Sequence, residues 1–410
     1  MPQVDIDGLN STLKADVIRG QAATSTKLGG DLDLDGNDIT GTGDIPAANL
    51  TGTLPAIDGS SLTGISAQRN LIINGDFDIW QRGTSFAAAA NGTRIADRWR
   101  YLKSGAMVHT ISRDTDVPTV AESGHLSNYS LKVDCTTIDS SIASGDYSYI
   151  EQRVEGYNFK YLAQKAMKLS FWHKHTKTGT YCVGYLNSAG DRSYVTEYTQ
   201  SVTDTWEKAE MDITASPSGG TWDYTNGIGL KVYFSIATGS SFHGTADTWE
   251  SAEDYGSSSQ VNACDNAANN FMLAQVQLEA GSVATDFEIR NHATELAMCQ
   301  RYFERLNSAD ISDVNYGLLA CAGTTQAFGA VFWQAEKRAA PTTTCSSGTD
   351  FRVTNSGGSP IETTSLTFAQ ANTQSVRAYA QVTSGLAAGD VTRLHDDGLG
   401  NSYIDVSAEL

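Results

Sequence analysis

Beyond residue 68, apolar and polar residues alternate with a period of two in stretch after stretch. In Ile228-Gly-Leu-Lys-Val-Tyr-Phe-Ser-Ile236 five apolar residues share one face, with Lys231 and Ser235 on the other. Tyr129-Ser-Leu-Lys-Val-Asp-Cys135 and Met167-Lys-Leu-Ser-Phe171 repeat the pattern, and residues 147–154, 180–187, 206–213 and 271–278 are further candidates. Such alternation marks strands half-buried on a core. Short strands joined by turns rich in Gly, Ser and Asn predict a jelly-roll β-sandwich over 69–290, not βαβ units. Residues 237–270 are acidic and poor in apolar side chains, so they read as a surface excursion. At 291–306 the period changes: Leu296, Cys299, Phe303 and Leu306 recur at helical spacing and predict a short linker helix. Residues 307–410 return to short strands, among them 331–333, 375–382 and 403–406, and predict a small C-terminal β-sandwich tip.

Residues 1–68 follow neither pattern. Residues 7–20 fit one short helix, capped by Asn10 or Ser11 and stopped at Gly20. After it, large apolar residues are singletons, and a weak repeat is visible, with Leu50-Thr-Gly52 returning as Leu62-Thr-Gly64 and Ile45-Pro-Ala47 as Leu54-Pro-Ala56. Ordering the backbone costs about 1–2 kcal/mol per residue. A scatter of apolar side chains at about 1.5–3 kcal/mol each, even fully buried, returns less than that. One copy of this segment does not make a stable globule; either it is disordered or several chains bury the singletons against one another.

Composition narrows the function. In 410 residues, 28 Lys and Arg face 47 Asp and Glu, a formal net charge of −19. Nucleic-acid binding needs a basic footprint and is disfavoured, as is docking of a polybasic patch on an anionic membrane. No apolar run is long enough for a membrane span, and the acidic start lacks the pattern of a secretory leader. The six cysteines, Cys135, Cys182, Cys264, Cys299, Cys321 and Cys345, have no CxxC spacing and read as reduced thiols of a chain made in a cytoplasm.

Three stretches are familiar. Arg69-Asn-Leu-Ile-Ile-Asn-Gly-Asp-Phe-Asp-Ile-Trp-Gln-Arg-Gly-Thr-Ser85 with Ala96-Asp-Arg-Trp99 is one, and Val276-Gln-Leu-Glu-Ala-Gly-Ser282 running into Glu295-Leu-Ala-Met-Cys-Gln-Arg-Tyr302 is the second. The third is the ending Tyr403-Ile-Asp-Val-Ser-Ala-Glu-Leu410. Together with the N-terminal repeats, they resemble bacteriophage tail-fibre and appendage proteins. The resemblance implies a virion protein, usually a homotrimer. Its N-terminal attachment and shaft segment would be residues 1–68, bound to other virion proteins. Its jelly roll would be similar to carbohydrate-binding modules and its distal β tip would face a host-surface glycan or protein. A capsid head fibre or decoration protein, and a polysaccharide depolymerase tailspike, are the alternatives.

Candidate chemistry is sparse. Asp31-Leu-Asp-Leu-Asp-Gly36 imitates the start of an EF-hand loop, but Thr42 stands where a bidentate Glu belongs, so alternation explains it. Asp78 in Asn74-Gly-Asp-Phe-Asp78 stands where carbohydrate modules often hold a structural calcium, although Ala274-Gln-Val-Gln277 offers amides where a partner carboxylate is expected. His173 and His175 share a strand face with Phe171 and read as ordinary strand-end histidines. Sugar rings need exposed aromatic faces beside hydrogen-bonding groups. Trp222 and Tyr224, after a Ser/Pro/Gly run, and Trp249 and Tyr255, in the acidic excursion, are the loop candidates. Net charge disfavours anionic glycans, so stacking and hydrogen bonds are expected to carry the binding. No GxSxG or HExxH motif is present, and pairs such as Glu151 with Glu155 or Asp247 with Glu250 arise readily among 47 acids, so no enzymatic activity is expected.

Overall fold

The structure, a computed structural model, describes residues 69–307 and 314–410. The expected N-terminal helix, the repeats, the Asp31–Gly36 run and the shaft built from them lie outside the described residues.

The alternating segments pair into two facing sheets. One is ordered β1 (Ser85–Phe86), β3 (Val108–Asp114), β4 (Ser130–Thr137), β11 (Asn270–Ala280), β6 (Met167–His175) and β9 (Glu207–Ile213). The other is ordered β2 (Trp99–Ser104), β5 (Tyr147–Glu155), β10 (Ile228–Thr238), β7 (Gly179–Leu186) and β8 (Ser193–Gln200). All neighbours are antiparallel. Inward positions of both sheets fill one core around Trp99, Phe171, Tyr185 and Phe234. The indole of Trp99 lies 4.9 Å from the Phe77 ring and 5.8 Å from Phe234, tying the opening segment to the sandwich. Three short helices intervene: α1 (Val120–Ser123), α2 (Gly156–Phe159) and α3 (His292–Gln300).

A second sandwich follows. Its seven-stranded sheet runs β17 (Pro360–Glu362), β16 (Phe351–Thr354), β20 (Val391–Asp396), β13 (Asn315–Cys321), β14 (Gln326–Phe332), β19 (Ser375–Gln381) and β18 (Ser365–Ala369). A three-stranded sheet, β12 (Phe303–Asn307), β21 (Tyr403–Ser407) and β15 (Thr342–Cys345), covers it over Leu319, Val331, Phe351, Leu394 and Val406.

Two expectations are corrected. The helix stops at Gln300, and residues 303–306 belong to β12 instead. Phe303 continues the helical spacing from Cys299, but pairing of β12 with β21 satisfies its backbone in the second sandwich. The 237–270 stretch does not project from the surface. It folds back over the outer face of the five-stranded sheet, bridging Ser193 to Glu250 and Val195 to Ala246.

The join between the sandwiches is densely bonded. Ala408 N–H donates to the Tyr302 carbonyl (2.7 Å), and Leu410 packs among Ile73, Ile79, Cys299 and Tyr302. The Glu409 carboxylate accepts from Arg98 (2.6 Å), Arg82 (3.1 Å) and Arg94 (3.5 Å). Arg98 also stacks 3.5 Å above the Tyr302 ring, and Arg82 lies 3.4 Å above that of Phe303. Both sandwiches therefore belong to one unit.

Candidate functional site

The loops at one end of the first sandwich gather its aromatic residues because two glycines let the backbones touch. A Cβ on Gly156 would stand 2.4 Å from the Asp223 carbonyl oxygen, and one on Gly229 would stand 2.5 Å from the Phe159 Cβ. This closeness allows Gly156 N–H to reach the Gly227 carbonyl (2.9 Å) and Tyr157 N–H the Thr225 carbonyl (2.7 Å). Helix α2 is thereby held against the loop that carries Trp222 and Tyr224.

Phe159 is fully buried beneath this loop. The Trp222 ring stacks on it at 5.4 Å and 18°, and the Tyr224 ring lies parallel at 6.4 Å and 11°. Trp249 meets Trp222 edge-on at 5.9 Å and also contacts Tyr194. Both indole N–H groups are satisfied within the protein, by the Gly219 and Thr214 carbonyls respectively. Three of the four aromatic residues singled out in the sequence therefore converge, with the two tryptophans acting as supports.

Tyr255 does not join them. It is 5% exposed, packed against Tyr149, Tyr233 and Phe242 on the outer face of the five-stranded sheet. Burial pushes its phenol well above the ordinary value, and its hydroxyl donates to Glu253 (2.8 Å). Its position in an acidic stretch suggested exposure, but the stretch itself forms the cover.

The rings that do face solvent include two that sequence reasoning missed. Tyr157 and Tyr161 are 46% and 65% exposed, against 37% for Tyr224. The Lys160 ammonium stands 5.4 Å from the Tyr157 ring centre and 5.0 Å from that of Tyr161. Next to Tyr157 opens a cavity of about 220 Å³, also lined by Asn158, Met298, Arg301 and Tyr302. Glu155 in its wall accepts two bonds from Arg301 (3.0 and 2.7 Å) and one from the Tyr302 hydroxyl. The available signal was Tyr157-Asn-Phe-Lys-Tyr161, three aromatics among polar residues directly after a glycine.

Asp78 lies elsewhere, in a pocket lined also by Asp76, His125 and His292. Its carboxylate accepts from the Asn128 amide (3.3 Å). The Asp76 oxygens are engaged by His125 (2.7 Å) and Ser127 (2.6 Å), and the Gln275 amide donates to Ser123 and Ser127. Among the described residues no three His, Cys, Asp or Glu side chains are grouped to hold a metal ion.

His173 and His175 do share a face with Phe171, but inside the core rather than at a free strand end. His173 Nδ1 pairs with the Gln200 amide oxygen (2.8 Å), and His175 Nε2 with the Tyr198 hydroxyl (3.0 Å). Burial lowers the basicity of both. Glu151 is likewise engaged, by Arg153 (2.9 Å) and Arg100 (3.6 Å), and Glu250 accepts from Thr245.

No family model and no curated protein sequence matches the chain. Among solved structures, the TmCBM61 module in complex with β-1,4-galactotriose is similar over 52% of this chain and 100% of its own, at 12% identity and TM-score 0.26. A putative sugar-binding protein from Bacteroides thetaiotaomicron gives the same coverages and identity with TM-score 0.30. A family 11 carbohydrate-binding module from Clostridium thermocellum covers 48% of this chain and 100% of its own at 12% identity and TM-score 0.25. The fold assignment here rests on the sheets themselves.

Proposed function

We propose that the chain is a glycan-binding adhesion protein whose first sandwich holds sugar rings on the tyrosine surface of α2 and the loop 219–227. The supporting observation is the exposure of Tyr157, Tyr161 and Tyr224 around a rigid backing of Phe159, Trp222 and Trp249. A pyranose presents an apolar face that stacks on such rings, and Asn158, Lys160 and Arg301 are at hand for its hydroxyls.

The finer reading is a bacteriophage virion fibre. The sequence stretches 69–85, 276–302 and 403–410 support it, and the apolar-poor residues 1–68 support assembly of several copies, as a homotrimer attached to the particle through that segment. In this reading the protein acts in adsorption and not as an enzyme. Oligosaccharide-array binding of the full chain, compared with Tyr157→Ala and Tyr224→Ala, tests the site. Binding that survives both substitutions unchanged refutes it. Light scattering of the purified chain tests the trimer, and a monomer refutes that part.

A further inference from the structure

The outer face of the seven-stranded sheet in the second sandwich has a composition unlike the rest of the chain. Alternation turns Leu318, Ala320, Phe328, Ala330 and Val391 outward, with Leu318 and Val391 69% and 67% exposed. Between them lies a shallow groove of about 590 Å³. Arg377, paired with Ala330 across β14 and β19, extends over it with its guanidinium 5.7 Å from the Phe328 ring centre. Tyr379 lies beside Phe328 at 6.1 Å, and the exposed Gln370 closes one side.

The charges on this face run against the −19 of the whole chain. It carries Arg352, Arg377 and Arg393, and one acid, Glu362, which is paired with Arg352 at 2.8 Å. Arg393 donates to Thr354 (3.2 Å), whereas Arg377 has no ion-pair partner among the described residues. Asp390 and Glu336 stand in loops beyond the strand ends, the latter holding the Thr373 hydroxyl. An exposed arginine above an aromatic ring, with an amide nearby and no competing carboxylate, suits a ligand that is part ring and part anion.

We propose that this face is a second binding site, for an acidic saccharide that lays a sugar ring against Phe328 and sets a carboxylate or phosphate on Arg377. Repulsion expected from the net charge is local, and at about 0.1 M salt it is screened beyond roughly 10 Å. A charged sugar at this groove therefore meets Arg377 and not the distant acids. The residues are separate from the tyrosine surface of the first sandwich, so the two sites succeed or fail independently.

Calorimetry on the full chain with a galacturonate oligosaccharide and a galactose oligosaccharide of equal length tests the proposal. The galacturonate probe is expected to bind more tightly, to weaken at least about tenfold in Arg377→Gln, and to weaken again in Phe328→Ala. Its affinity should fall as salt rises and stay unchanged in Tyr157→Ala. Circular dichroism confirms that the variants fold. The proposal is overturned if the two probes bind alike, if neither binds, or if Arg377→Gln binds as the parent does. It is also overturned if Leu318→Asp dissociates an oligomer, because a second copy of the chain then occupies the face.

Discussion

Neutralising Glu409 is the sharpest test of how the two sandwiches are held. Its side chain is 6% exposed and accepts from three arginines whose side chains are 1% (Arg98), 13% (Arg82) and 23% (Arg94) exposed. Burial alone would raise the Glu409 carboxyl, but Arg98, Arg94 and Arg82 together outweigh it and hold it below the ordinary value. Burial pulls Arg94 down to about 10, which still leaves it a cation at neutral pH. Removing one partner of a buried ion pair costs about 3–5 kcal/mol. Arg94 and Arg82 keep access to water, and Arg98 keeps the Arg153 carbonyl and the Tyr302 ring, so Glu409→Gln is expected at the lower end, about 3 kcal/mol. Urea unfolding at pH 7 reads this value, and a double-mutant cycle with Arg98→Met isolates the closest pair. A group whose folded pKa is depressed stabilises above its unfolded pKa, and that stability disappears as pH falls through the folded value. The gap between parent and Glu409→Gln should therefore close on acidification below about pH 4. A loss under about 1 kcal/mol, or a gap indifferent to pH, would refute the idea that charge fastens this join.

Three further outcomes are expected. Lys337 is 1% exposed and its ammonium donates to Glu304 (2.6 Å) and the Gln300 carbonyl (2.7 Å), so Lys337→Met should cost about 3–5 kcal/mol, and adding Glu304→Leu should restore part of it in thermal unfolding. Gly229→Ala should force α2 from β10, destabilising by about 1–3 kcal/mol and changing Tyr157 and Tyr224 resonances in an NMR spectrum; an unmoved spectrum would contradict the contact with Phe159. The hydrogen bond that His125 donates to the Asp76 carboxylate raises the His125 pKa in the folded state, while burial pushes the Asp76 carboxyl up. This contact therefore stabilises while His125 is charged and Asp76 ionised, and it loses its effect as pH rises through the folded value of His125. NMR titration should show His125 above the free value and Asp76→Asn bringing it down; equal values in both would count against the pairing.

The sandwich was legible where one sheet face is core and the other is wet. Residues 206–213 and 375–382 cover β9 and β19, where buried positions alternate with more exposed ones. The pattern gave less where both faces are covered. In β8, Tyr194, Val195 and Thr196 are all buried, so no alternation marks it. At Phe303 and Leu306, three- and four-residue spacing suits a helix, and only the distant partner strand β21 decides otherwise. The tyrosine surface was half legible: Trp222 and Tyr224 stood out as aromatics in a loop, whereas Tyr157 and Tyr161 depend on a short turn fixed by contacts with residues 223–229. Tyr255 was misplaced because acidity indicates hydration of carboxylates, not of the ring between them.

Strands β12 and β21 are antiparallel neighbours, with Phe303 opposite Ser407. The chain therefore enters and leaves the second sandwich through one narrow doorway, side by side. Everything between is a cassette: a different β module whose two ends lie equally close could be spliced in at this neck while Tyr302 and Ala408 keep their hold on each other.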